Sequence, residues 1–195
     1  DTASRHAEVL SFRRLGERVL SITGGIADVT LDNGGKLLTL QRALLETAPQ
    51  LTLYRKPSQK VGFLEQMLAL FDELRCYEVT PEILYQQAQD IGGATHDKLT
   101  DLSLLYAAYE ARLRRPGLDA RDRMTKLCDH LEESGYVRDK DIFIDGFTYF
   151  NAQERRVLAA FLRQARSVTV TLLGEVNSRE EIFTPTLKTM EMLER

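Results

Sequence analysis

Two short apolar runs, each followed by a helical pattern, stand at opposite ends of a long stretch whose hydrophobic residues repeat only at helical spacing. Near the C-terminal end, Ile142-Phe143-Ile144 closes at Asp145-Gly146. Such a run suits a strand buried on both faces of a parallel sheet. Asn151 then opens a helix with Val157, Leu158, Phe161, Leu162 and Ala165 on its inner side. Val168 to Leu172 alternates Val and Thr and reads as a second strand, and Thr184-Pro185 starts a last helix. At the other end, Ala7-Glu8-Val9-Leu10-Ser11-Phe12 reads as a short strand. Arg14 to Ile22 reads as a helix, with Leu15, Val19, Leu20 and Ile22 near one face. Thr23-Gly24-Gly25 ends it, because glycine tolerates the left-handed geometry of a helix C-terminus.

Gly25 to Gly35 is loop-like. Between Lys36 and Glu133 the apolar residues fall at helical spacing: Leu64, Met67, Leu68, Phe71 and Leu74; Leu102, Leu105, Tyr106, Tyr109 and Leu113; Met124, Leu127, Cys128 and Leu131. Thr80-Pro81 is a helix start, a capping hydroxyl followed by proline at the first helical position. Gly92-Gly93 and Pro116-Gly117 punctuate the stretch, and a bundle of about five helices fits it. The expected architecture is α/β: residues 1–35 and 139–195 form one incomplete α/β domain, and residues 36–138 form a mainly α-helical domain inserted into it. The strands at Val9–Phe12 and Ile142–Ile144 are expected as neighbours or near neighbours in one parallel sheet. Three strands make a small sheet, and the chain opens on Asp1 without an initiator Met. Both features lead us to expect a longer parent.

Composition narrows the function classes. Apolar residues make up 43% of the chain and charged residues 28%, ordinary values for a globular protein. A net charge of −3 argues against a self-sufficient nucleic-acid binder, since phosphate contacts supply most of such a protein's affinity. It leaves room for a part that shares a basic groove with its neighbours. No apolar run approaches the roughly 20 residues of a membrane span, and the first residues carry no signal-peptide core. Cys76 and Cys128 lie in apolar helical patterns and read as free thiols, which makes the cytoplasm the default location. His6, His96 and His130 have no partner at metal-ligand spacing, so no metal site is expected.

Four patterns carry possible chemistry. Gly34-Gly35-Lys36 looks like the end of a phosphate-binding loop, but that loop needs an earlier glycine where Thr30 stands and a Ser or Thr where Leu37 stands. It reads better as a polar turn ahead of a helix. Asp145 sits where a strand delivers a carboxylate to the C-terminal edge of a sheet, the place where ligands bind in open α/β folds. It also suits an ordinary turn before a helix, which pattern alone favours. Asn151-Ala152-Gln153-Glu154 reads first as a variant of the capping box, and second as a place where Gln153 or Glu154 approaches a nucleotide. Ser11-Phe12-Arg13-Arg14 reads as a solvated helix start or as a phosphate contact; cations in a first turn oppose the helix dipole and tilt toward the latter. Arg42, Arg55, Lys56 and Lys60 read as a solvated face, with a phosphate-tracking edge as the other option.

Taken together, the end segments are familiar. Val9-Leu10-Ser11-Phe12-Arg13-Arg14-Leu15-Gly16-Glu17-Arg18-Val19-Leu20 resembles motif Ia of UvrD-like superfamily-1 helicases, and Ile142 to Glu154 resembles their motif II. The variant Phe-Ile-Asp-Gly-Phe-Thr, followed by Gln-Glu and an apolar helix, resembles the B subunit of AddAB-type ATP-dependent helicase–nucleases. Gly62-Phe63-Leu64 through Val79-Thr80-Pro81 also fits that family. The resemblance implies a partial RecA-like parallel sheet with an inserted helical domain. It implies single-stranded DNA contact by Ser11, Arg13 and Arg14, and a nucleotide or metal role for Asp145 and Glu154. The usual motif II reads Asp-Glu-(Phe or Ala)-Gln-Asp with a later glutamine. Here Gly146 stands at the catalytic glutamate position, Thr148 at the next glutamine position and Glu154 at the later one. Leu173-Gly174-Glu175 stands near the place of a Gly-Asp-x-x-Gln motif, without its glutamine.

The expectation is a non-catalytic segment of a subunit that processes double-strand breaks, contributing DNA contact and scaffold. The parent would be an ATP-dependent helicase–deoxyribonuclease subunit paired with an AddA-type subunit. ATP and Mg would belong to the parent complex, with no cofactor in this segment and no ATPase activity of its own. The alternative is a stand-alone helical adaptor or regulatory protein that binds another protein. A Gly-x-x-x-x-Gly-Lys-(Ser/Thr) loop upstream in the parent gene would separate the two.

Overall fold

Side-chain caps set the starts of four helices. The computed structural model describes residues 7–27, 30–55, 61–115, 118–174 and 181–194. Lys56, Lys60, Pro116-Gly117, Glu175 and His6 lie outside the described residues. The chain divides into two compact units, Asp1–Ile26 with Arg123–Arg195, and Ala27–Asp122. It is mainly helical, with a small two-stranded parallel sheet, an arrangement consistent with the α/β class.

The continuous unit is built from helices α2 (Asn33–Thr47), α3 (Val61–Cys76), α4 (Pro81–Gln89) and α5 (Gly93–Leu113). The Asp32 carboxylate caps α2 by accepting from Gly35 N at 2.7 Å. Lys36 Nζ meets Asp72 Oδ2 at 3.4 Å. Gly34-Gly35-Lys36 is therefore in the first turn of a helix, where the Gly35 N–H already faces a side-chain carboxylate. Thr80 caps α4 as its sequence predicts, accepting from Ile83 N at 3.4 Å, with Pro81 at the first helical position. After α5, the strands β1 (Arg114–Arg115) and β2 (Leu118–Asp119) form a short antiparallel ladder.

The core of this unit is aromatic and aliphatic. Phe71 stacks on Tyr106 with ring centroids 4.7 Å apart, and on Tyr109 at 5.9 Å. Two polar groups are built into it. Asp101, buried on α5, accepts from the backbone N–H groups of Thr52, Leu53 and Tyr54 at 2.7 to 3.1 Å. Arg75 meets Asp72 Oδ1 at 2.8 Å, Glu110 Oε1 at 2.8 Å and Asp122 Oδ2 at 3.5 Å. Burial pulls the Arg75 pKa down, but the Glu110 and Asp122 carboxylates outweigh it and hold the group above the usual arginine range.

Burial also pushes the phenols of Tyr106 and Tyr109 up to about 12, from an ordinary 10.0. A folded pKa above the unfolded one contributes stability below the unfolded value, and that contribution is lost as pH rises through the folded value. We therefore expect this unit to lose stability between about pH 10 and 12. Phenolate absorbance should show two late-ionising tyrosines that titrate together with helix loss; their ionisation at the ordinary value would contradict this packing.

The discontinuous unit holds α1 (Phe12–Thr23), α6 (Arg123–Ser134), β3 (Asp141–Ile144), α7 (Ala152–Gln164), β4 (Ser167–Val170) and α8 (Thr184–Leu193). α6 packs on α1 and α7, whereas its periodicity alone reads as the end of the helical block. Gly16 is where α1 and α6 approach: a Cβ there would lie 3.5 Å from Arg123 O and 3.7 Å from Leu127 Cβ. Glu17 of α1 pairs with both Arg13 and Arg123. α6 and α7 are tied by Arg156–Asp129 at 3.0 Å, by Arg163–Glu132, and by Gln164 Nε2 donating to Glu132 O at 3.0 Å.

β3 and β4 pair in parallel, Asp141 opposite Ser167 through Ile144 opposite Val170. Arg166 and the Ser167 hydroxyl together hold the Asp141 carboxyl down at about 2, pinning the N-terminal edge of the sheet. Two expectations about this sheet are corrected. Residues 7–11 form no strand and pair with neither β3 nor β4. Ser11 instead caps α1, its hydroxyl accepting from Arg14 N at 3.4 Å, which commits Phe12 to the helix; Val9 is 91% exposed. β3 is also buried on one side only. Ile144 joins the core with Leu131, Val157 and Phe161, whereas Phe143 is 76% exposed. Among the described residues, no helix is long and apolar enough to cross a membrane.

Candidate nucleic-acid interface

At the C-terminal edge of the sheet, β3 runs into Asp145 and β4 into Thr171. Thr171 N donates to Ile144 O at 2.9 Å, extending the ladder one bond past the strands. The Thr171 hydroxyl donates to Asp145 Oδ1, so the exposed carboxylate is oriented by the neighbouring strand. Gly146 follows with φ +84°, the left-handed region that side chains resist. The backbone itself therefore disfavours a glutamate at this position.

The 145–150 loop is packed by aromatic rings. Phe147 stacks on Phe150 at 5.1 Å, and Phe12 meets Phe147 edge-on at 5.5 Å. Phe12 is the first residue of α1, so this contact seats the start of α1 beside the loop. Arg13 and Arg14 are exposed there. Arg13 shares Glu17 with Arg123, while Arg14 has no acidic partner among the described residues. Ser11 uses its hydroxyl as a cap. Upstream, Glu8 accepts from Arg18 Nε at 2.9 Å and from the Tyr136 hydroxyl at 2.9 Å, and these two donors hold its carboxyl below the usual range. That clamp fixes the entry of the chain into α1.

Glu154 has a local role. Its carboxylate accepts from Asn151 N at 2.9 Å, and Asn151 Oδ1 accepts from Glu154 N at 2.9 Å: a reciprocal capping box. Gln153 is buried and donates to Thr125 Oγ1 at 3.0 Å, joining α7 to α6. Thus Phe12 brings the start of α1, which carries Ser11, Arg13 and Arg14, against the loop that begins with Asp145, and Glu154 is engaged at its own helix start. Among the described residues, no group of His, Cys, Asp and Glu could hold a metal ion. Sequence reasoning missed Thr171 and the Phe12–Phe147 contact. The available signal was an aromatic residue in each of the two motifs.

The sequence model of the family described as "ADDB, N-terminal" matches residues 1–195. The chain belongs to this family. ADDB N-terminal relatives include a Desulforamulus reducens protein, 36% identical over 96% of this chain and 17% of that protein. One from Geobacillus kaustophilus is 34% identical over 85% of this chain and 15% of its own length. One from Lachnoclostridium phytofermentans is 31% identical over 89% of this chain and 16% of its own length. Each is named as the B subunit of an ATP-dependent helicase/deoxyribonuclease. The ADDB N-terminal chain thus spans about a sixth of the length of these relatives, which are covered to 15–17%.

Proposed function

We propose that this chain is a non-catalytic segment of a helicase–nuclease subunit that processes DNA double-strand breaks, where it contributes DNA contact and scaffold. The observation that carries the reading is the Phe12–Phe147 contact, which sets the exposed Arg13 and Arg14 beside the 145–150 loop. The family match and the names of the relatives support the setting. In this reading the two units correspond to a RecA-like domain and its helical insertion. The partner is an AddA-type subunit, the compartment is the cytoplasm, and the DNA is a single strand at a processed end.

Arg13 and Arg14 would hold backbone phosphates, with Ser11 fixing the helix start that presents them. The test is Arg13→Ala with Arg14→Ala in the complete polypeptide. Binding of single strands should weaken whatever their sequence, and the salt slope should flatten by about one to two units. An unchanged slope would return both arginines to a solvated face.

Nucleotide chemistry separates from DNA contact. ATP and Mg belong in this reading to the parent complex; Asp145 is the residue here that could face a metal-bound phosphate. Hydrolysis further requires cradled phosphates and an oriented water. The 195-residue chain offers Asp32 where a phosphate cradle would need free N–H groups, and left-handed Gly146 where a glutamate would stand. We expect no ATPase above background from this chain, with or without DNA. Gly146→Glu should add backbone strain of about 1 kcal/mol and still no turnover. DNA-stimulated phosphate release abolished by Asp145→Ala would overturn this.

A further inference from the structure

Carboxylates occupy many of the arginines in the discontinuous unit. Glu8 holds Arg18, Asp129 holds Arg156, Glu132 holds Arg163 and Asp141 holds Arg166. Other exposed cations differ, Arg14 among them. Arg155, in the first turn of α7, and Lys188, in α8, have no acidic partner among the described residues. With Tyr149, Phe150, Pro185 and Met192 they line a cleft of about 330 Å³. Its walls are tied together: the Thr189 hydroxyl of α8 donates to Thr148 O at 2.9 Å. Tyr149 is 62% exposed, so an aromatic face stands open beside two cations.

We propose that this cleft holds one nucleotide of a single DNA strand, its phosphate on Arg155 and Lys188 and its base against the Tyr149 ring. Cations that follow a backbone, together with an aromatic platform for a base, make up the chemistry of sequence-tolerant strand binding. The cleft also continues the surface already described. Tyr149 lies on the 145–150 loop, whose Phe147 touches the start of α1. A strand held at Arg13 and Arg14 would run along that loop into the cleft. The proposal rests on the DNA reading above, and it adds a second point of contact to it.

The test uses the complete polypeptide and a labelled oligothymidylate, with binding followed by anisotropy across a salt series. Arg155→Glu with Lys188→Glu should weaken binding about tenfold or more and flatten the salt slope by about one to two units. Tyr149→Ala should weaken it about fivefold, Tyr149→Phe should keep the affinity, and an abasic strand should erase the difference between them. Should the double reversal fail to fold, Arg155→Gln and Lys188→Gln carry the same test. If these variants bind normally while Arg13→Ala with Arg14→Ala weakens binding, the cleft assignment falls and the DNA reading stands. If neither set changes binding, both fall. Thymidine monophosphate binding as tightly as the strand would also overturn the assignment.

Discussion

Replacing Asp101 by alanine is expected to destabilise the helical unit by about 3 kcal/mol or more, because it strands several backbone donors at once. The carboxylate is buried on α5 and accepts from three consecutive N–H groups at Thr52, Leu53 and Tyr54. Asp101→Asn keeps one acceptor oxygen and should lose less, about 1 to 2 kcal/mol. Denaturant unfolding of the 195-residue chain measures both, with the midpoint shift taken at constant slope. An alanine variant that unfolds within about 1 kcal/mol of the parent would mean that water satisfies those donors and that the carboxylate is not their anchor.

The second large effect is expected at Arg75. Its side chain is 10% exposed and faces Asp72, Glu110 and Asp122. Arg75→Met retains much of the packed stem and removes the charge, leaving the largely buried Glu110 carboxylate with only the exposed Arg114 guanidinium, at 3.7 Å. A loss of about 3–5 kcal/mol is expected, as for breaking one side of a buried pair. Adding Glu110→Gln removes a carboxylate that has lost its nearer cation and should recover part of that loss. Strict additivity in this double-mutant cycle would show that Arg75 and Glu110 do not couple.

The parts of this fold that were legible in the sequence are those decided within a few residues. Thr80-Pro81 and Asn151 with Glu154 mark their helix starts because cap and donor lie three residues apart. Ser11 obeys the same rule, but an apolar alternation beside it looked like a strand. A strand requires a partner, and no local pattern supplies one; the chain from residue 7 to 11 remains unpaired. For the same reason β3 reads as buried on both faces when only Ile142 and Ile144 turn inward. Asp101 was silent because its donors lie 47 to 49 residues away. At the candidate interface, residue types gave Asp145, Arg13 and Arg14. Only tertiary contact gave the Thr171 hydroxyl on Asp145 and the Phe12–Phe147 edge between the two motifs. Glu154 fitted two roles by its letter, and its hydrogen bonds match the capping one.

The pairing of Arg123 with Glu17 joins residues 106 apart in the chain. Closing so long a loop is entropically costly in an unfolded chain, and the cost grows slowly with length. A helical unit that folds first shortens that loop to the gap between its own ends. The stability of residues 27–122 would then set how readily α1 finds α6, although none of those residues belongs to the 145–150 loop. Asp101→Ala tests this order as well as stability: refolding followed at α1 should slow, whereas an unchanged rate would mean that the two units form independently. A lesion in the inserted helices would thus reach the interface as a delay in assembly, with every contact residue intact.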